Sequence, residues 1–263
     1  MQLTIRKFEP SGIGNGRVLM IIGKRNTGKS VLVKDIMAYK QAIKAGIVCS
    51  GTEEGNSFFG GWVPDCFIYN DFDKPAVQRL IDHQRKACKA GTARDVFLVL
   101  DDLMFDNSFL KDKMMRSIFM NGRHWKIFLV LTAQFAGDIP PAIRSNIDYV
   151  FILRENIIQN RERLYKNFFG IFPTFDSFCQ TLDSCTENFE CMVLDNTSRS
   201  NKIEDCLFWY KARMGHKFRM GGPDFWKFHK KNYNPRHDEA VPPGDVALRP
   251  SRKPKITINR VGS

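Results

Sequence analysis

Five apolar residues, Val18-Leu-Met-Ile-Ile22, run directly into Gly23-Lys-Arg-Asn-Thr-Gly-Lys-Ser30, and no other stretch constrains the fold so tightly. The apolar run is short and unbroken, as expected of a strand buried on both faces. After Ser30, apolar residues recur at Val31, Leu32, Ile36, Tyr39 and Ile43, near the helical period, so a helix is expected over 29–43. Gly23-x-x-x-x-Gly28-Lys29-Ser30 therefore sits between a strand and a helix, where this spacing makes a phosphate-binding P-loop. Its glycines let the backbone turn N–H groups inward around phosphate oxygens, and the helix N-terminus adds partial positive charge. Lys24, Arg25, Asn26 and Thr27 form the body of the loop. Lys29 is expected to reach β- and γ-phosphates, and the Ser30 hydroxyl to ligate Mg²⁺.

The rest of the chain alternates in the same way. "GIVCSG" and "DCFIYN" are expected to be short strands, and "KPAVQRLIDHQRKACKAG" a helix, with proline near its start and glycine at its end. "VFLVL" (96–100) is a buried strand, followed by a helical stretch around Lys111 to Met120 and the strands "IFLVLTAQ" and "YVFIL". Strands alternating with helices predict an α/β fold with a mostly parallel sheet covered on both faces. From about residue 187, "FECMVLDN" and "CLFWYKA" flank the polar turn "NTSRSNKIE" and are expected to add a β-hairpin to the same sheet. These features divide the chain into a domain over 1–213 and a basic, Pro/Gly-rich segment over 214–263. The last thirty or so residues of that segment are expected to be an extended or disordered tail. Within it, "FRMGGPDFWKFHKKNY" fits either a nucleic-acid or capsid contact or an amphipathic closing segment packed on the core.

A P-loop needs a carboxylate from a neighbouring strand to hold its metal. Asp101 ends "VFLVLD", at the C-terminal edge where α/β sheets place ligand sites. Asp102, beside it, is the candidate general base for an attacking water. Glutamate is the more usual base at such a place, so Glu53 and Glu54 of "SGTEEG" stand next in line. Gln134, ending "IFLVLTAQ", is expected at the tip of the next strand, where its amide could report on the γ-phosphate.

Composition narrows the setting. A net charge of +12 favours polyanionic partners, nucleic acid first. The seven cysteines are scattered without a CxxC pair, which predicts reduced thiols over disulfides or a metal site. No apolar run approaches the roughly 20 residues of a membrane span. "MQLTIRKFEPSG" lacks the apolar core of a signal peptide, so an intracellular protein is expected.

Taken together, the P-loop, "VFLVLDD", "NGRHWKIFLVLTAQ" and "PPAIRSNIDYVFILRE" resemble the FtsK–HerA superfamily of DNA-pumping ATPases. Within it they resemble the poxvirus-type genome-packaging ATPases of large nucleocytoplasmic DNA viruses. "SGTEEGNSFF" and "CMVLDNTSRSNKIEDCLFWYKA" are similar to that branch too, and the resemblance covers about residues 15–213. It implies a RecA-like core assembled as a homo-oligomeric ring, a hexamer or pentamer, that threads double-stranded DNA into a capsid. It further implies a capsid or inner-membrane partner, in the viral factory of the host cytoplasm and in the virion. By the family pattern Lys29 and Ser30 bind ATP and Mg²⁺, Asp101 holds the metal, Asp102 takes the base position and Gln134 is the sensor. Such rings complete each site with an arginine from the next subunit, for which Arg123 in "NGRHWKI" is the first candidate and Arg144 in "AIRSN" the second. The nearest rival is a HerA-like motor for DNA processing or transfer. A non-hydrolysing DNA-binding protein is disfavoured by the intact Lys29, Ser30 and Asp101, and a small-molecule kinase by the lack of a recognisable substrate pocket or lid.

Overall fold

The computed structural model describes residues 3–103 and 107–234. The apolar runs become nine strands of a single sheet: β1 (Arg6–Lys7), β2 (Val18–Ile22), β3 (Ala45–Ser50), β4 (Ile68–Tyr69), β5 (Val96–Asp101), β6 (Ile127–Ala133), β7 (Tyr149–Ile152), β8 (Glu190–Asp195) and β9 (Leu207–Lys211). Between them lie α1 (Lys29–Ala38), α2 (Glu53–Asn56), α3 (Lys74–Lys89), α4 (Lys113–Asn121), α5 (Pro141–Arg144), α6 (Ile158–Phe168), α7 (Phe175–Cys185) and α8 (Ile203–Cys206), with α9 (Pro223–Asn232) after the last strand. The strand order is β1-β9-β8-β7-β2-β6-β5-β3-β4. β7, β2, β6, β5, β3 and β4 run parallel. β8 and β9 follow as the antiparallel hairpin expected from their sequence, with α8 in the connection.

Alternation along β2 shows why the central strands must be apolar throughout. Val18, Met20 and Ile22 face a core shared with α3, α4 and α7, whereas Leu19 and Ile21 face α1, Phe59, Trp62 and Phe225 of α9. Side-chain caps close the starts of α3 and α4. Asp73 accepts from Ala76 N at 2.6 Å at the head of α3, and Asp112 from Met114 N at 2.8 Å at the head of α4.

Two features depart from the sequence expectations, and a third selects between two of them. The helix expected over 29–43 stops at Ala38, where the Tyr39 N–H turns back to Ile36 O, and the Lys40 ammonium beyond it donates to the buried carbonyl of Ile13. Helices α6 and α7 fill the interval between β7 and β8, where no element had been read. The third concerns the segment after Met214. Met220 and Phe225 are buried, Phe225 stacks on Phe67 with ring centroids 4.0 Å apart, and Gly222 N donates to Lys44 O at 2.8 Å. Of the two readings of "FRMGGPDFWKFHKKNY", the packed closing segment is the one found, so the fold continues past residue 213. The tail from 235 onward lies outside the described residues.

A buried carboxylate ties this segment to the P-loop helix. Asp35 of α1, fully buried, accepts a 2.5 Å hydrogen bond from the Tyr210 hydroxyl, and His216 Nε2 lies 2.5 Å from its other oxygen. Burial and the Asp35 carboxylate push the Tyr210 hydroxyl far above its ordinary titration range. All seven cysteines are free thiols. Among the described residues, no cluster of three or more His, Cys, Asp or Glu is arranged for a metal, and no helix is long and apolar enough to cross a membrane.

Candidate nucleotide site

β2 ends where Gly23 N donates to Ala133 O at 3.0 Å, and the chain turns at once into the loop. A Cβ on Gly23 would lie 2.7 Å from Thr27 Oγ1 and 2.8 Å from Leu153 Cβ, so only glycine fits. Gly28 adopts φ 100°, a left-handed conformation favouring glycine, immediately before α1. The Thr27 hydroxyl donates back to Lys24 O at 2.7 Å and closes the loop on itself. Lys29 is 8% exposed, and its Nζ donates to Gly23 O at 2.7 Å and Lys24 O at 3.0 Å. Burial lowers its titration, Asp102 and Asp101 raise it, and Arg25 lowers it again. Its ammonium thus already feels both acids at the end of β5.

The order β2-β6-β5 brings those acids to the loop. Ile22 pairs with Ala133 and Leu100 with Leu131, so Gly23, Gln134 and Asp101 leave three adjacent parallel strands at one edge. Asp101 is 2% exposed and accepts from the Thr132 hydroxyl at 2.8 Å and from Ser50 Oγ at 3.4 Å. Thr132 Oγ1 also accepts from Asp102 N at 2.9 Å, so one hydroxyl ties the two acids together. Asp102 takes φ 50°, and its Oδ1 accepts from Gln134 Nε2 at 2.6 Å. Sequence reasoning missed Thr132, although a polar residue inside the apolar run "IFLVLTA" was the available signal. The reserve acid Glu53 is otherwise engaged: its carboxylate accepts from Phe59 N at 2.9 Å and Gly60 N at 2.8 Å and folds the 58–60 turn. Glu54 is exposed.

Burial pushes the Asp101 carboxyl above its ordinary range, the Thr132 hydrogen bond opposes this, and the Asp102 charge adds to it. A carboxyl whose folded pKa exceeds its unfolded one takes up protons on folding. Its destabilising effect therefore grows as pH rises from the unfolded carboxylate range through the folded one, and is complete once pH exceeds both. Asp101→Asn should accordingly raise Tm near neutral pH, by about 2–4 °C per kcal/mol relieved in a chain of this size. The gap from wild type should narrow as pH falls toward 4. Thermal melts from pH 4 to 8 check this, and a gap that widens toward acid contradicts it.

On the other side of β2, residues that sequence reasoning did not single out wall the loop. Glu155, just past β7, is buried and pairs with Lys24 Nζ at 2.6 Å while accepting from Ile157 N at 2.7 Å and Asn160 Nδ2 at 3.0 Å. A cavity of about 460 Å³ lies between residues 24–27 of the loop and Arg154, Asn156, Asn188 and Phe189.

The first candidate arginine does not lie at this edge. Arg123 precedes β6, and its Nη2 is 2.5 Å from Asp148 Oδ1; Asp148 also accepts from Arg17 Nη1 and Val18 N, each at 2.9 Å. β6 spans seven residues, roughly 23 Å of extended chain. Arg123 therefore sits at the opposite end of the sheet from its own loop. The Arg144 guanidinium donates to Ile139 O at 2.6 Å.

This mixed, mostly parallel sheet with a P-loop on its central strand defines a P-loop NTPase fold. No family model matches the chain. It is 36% identical over 229 residues to an uncharacterized protein of Acanthamoeba polyphaga mimivirus, covering 83% of this chain and 80% of the relative. It is 37% identical over 198 residues to one of Invertebrate iridescent virus 3, covering 75% and 76%. The chain belongs to this family of large-DNA-virus proteins. Its fold is similar to that of the genome packaging NTPase B204 from Sulfolobus turreted icosahedral virus 2, in complex with AMPPCP, with TM-score 0.53, 13% identity, and 78% of this chain and 100% of that one covered.

Proposed function

We propose that the chain is an ATP-driven translocase of double-stranded DNA that packages a viral genome. The convergence of Lys29, Asp101, Asp102 and Gln134 at the ends of three adjacent parallel strands carries this proposal. The loop N–H groups cradle the phosphates and Lys29 bridges the β- and γ-groups. A hard cation takes oxygen ligands, and the Ser30 hydroxyl with the buried Asp101 carboxylate suit Mg²⁺, which when bound neutralises phosphate charge. Asp102 orients the attacking water and accepts its proton, while the Gln134 amide fixes the carboxylate and senses the γ-phosphate. Membership in a family of large-DNA-virus proteins favours packaging over cellular DNA processing. The net charge of +12 suits a partner gripped by its phosphates without base readout. In this scheme the chain works as a ring of identical subunits at the capsid, in the host cytoplasm and in the virion.

Phosphate release and triplex displacement, each with and without duplex DNA, test the proposal. DNA should accelerate hydrolysis, and hydrolysis should strip the third strand. Turnover indifferent to DNA, with no displacement, contradicts a translocase. Asp102→Asn should bind ATP as wild type does yet hydrolyse it about 10²-fold or more slowly, since the metal ligand stays while the base is lost. Nucleotide affinity alongside the single-turnover rate checks this; an unchanged rate places the base elsewhere.

A further inference from the structure

We infer, resting on the nucleotide-site reading above, that Phe189 and the apolar cavity beside it hold the purine ring of the nucleoside triphosphate. Topology decides which end of the ligand lies where. Asp101, Asp102 and Gln134 gather on the β6/β5 side of the loop, so the phosphate to be cleaved faces that side. The nucleoside then leaves the loop toward β7 and β8. Two cavities lie there, with Asn26 and Phe189 lining both. One is the polar space along loop residues 24–27. The other, of about 400 Å³, lies between Gly28, Val31 and Leu32 on one wall and Cys191 and Met214 on the other. That volume falls in the range of small-molecule sites.

Phe189 itself is unusual. Its backbone takes φ 64° immediately after Asn188 at φ 49°, a region that bulky residues seldom occupy. Burial within the chain does not offset that strain, because the residue is 70% exposed. Its ring overhangs the loop: a Cβ on Gly28 would lie 3.7 Å from Phe189 Cδ1. Met214, 84% exposed, offers a polarisable thioether across the same cavity. A planar base entering here stacks on the Phe189 face while its triphosphate runs along the loop, so purine nucleotides should bind better than pyrimidine ones.

Calorimetric titration of the full chain with ATP and with inorganic tripolyphosphate tests this, using wild type, Phe189→Ala, Phe189→Trp and Lys29→Ala. Phe189→Ala should weaken ATP about tenfold, as loss of one aromatic–base stack does, and leave tripolyphosphate binding and Tm unchanged. Phe189→Trp should restore ATP affinity. If Phe189→Ala leaves ATP affinity intact, or weakens both ligands equally, the base does not stack on Phe189. Loss of both ligands in Lys29→Ala under that outcome keeps the phosphate site and discards only the base site. A wild-type chain that binds neither ligand overturns the nucleotide site and the base site with it.

Discussion

Lys29→Ala will lower the rate of ATP hydrolysis by at least about 10³-fold, with most of the loss visible already as nucleotide affinity. The size of the effect follows from how the ammonium is held. Two loop carbonyls, Gly23 O and Lys24 O, hold Nζ within the loop, where the proposed phosphates would lie, and burial has removed much of its water. A charge desolvated in advance acts on a phosphate at low effective dielectric, without reorganisation during the reaction. Neighbouring cations do not substitute. Lys24 is committed to the buried Glu155 at 2.6 Å, and Arg25 lines the outer cavity. Phosphate release and ATP calorimetry on Lys29→Ala read the effect, with a melt to show that the fold survives. Normal turnover in this variant removes the catalytic assignment of the loop.

The second large effect belongs to Arg123. In a single subunit its guanidinium sits at the far end of the sheet, mostly exposed and paired with Asp148. Asp148 is buried, but it keeps Arg17 Nη1 and Val18 N as partners when Arg123 leaves, so in the proposed ring the exposed guanidinium can be exchanged for a γ-phosphate presented by a neighbour without orphaning the carboxylate. Arg123→Ala should then cost on the order of 10³-fold in hydrolysis while ATP affinity stays near wild type. Mixing Arg123→Ala with Lys29→Ala subunits should recover activity, because about a quarter of the interfaces in a random equimolar ring join an intact loop to an intact arginine. Arg144→Ala in the same mixture ranks the second candidate. Activity that never rises above the sum of the two mutants places Arg123 outside the neighbouring site.

The central sheet and the loop were legible because burial on both faces makes the central strands almost wholly apolar, with Thr132 the exception in β6. "VLMII", "VFLVL" and "IFLVL" read as buried strands, and Asp101 and Gln134 are marked as the first acid and the first amide after the apolar runs. Helix α7 was equally legible and was passed over: Phe178, Leu182 and Cys185 recur at helical spacing and all are buried. Helix α6 was not, since it buries only Leu164 and takes its place from contacts distant in sequence. What the sequence could not disclose were partners fixed by the fold alone. Thr132 joins two acids only because β6 lies beside β5, and Glu155 meets Lys24 only because β7 flanks β2.

β6 carries one consequence for how a ring of these subunits would keep time. All seven of its residues are buried, and β2 and β5 pair with it on either side, so it cannot stretch or bend without breaking the middle of the sheet. Gln134 stands just past one end, against the acid at its own loop, and Arg123 stands just before the other. In the proposed ring this strand is a rigid strut between two consecutive nucleotides. A displacement of Gln134 when one γ-phosphate departs would be delivered, undamped, as a displacement of the arginine at the next, so firing order would be written into a single β-strand.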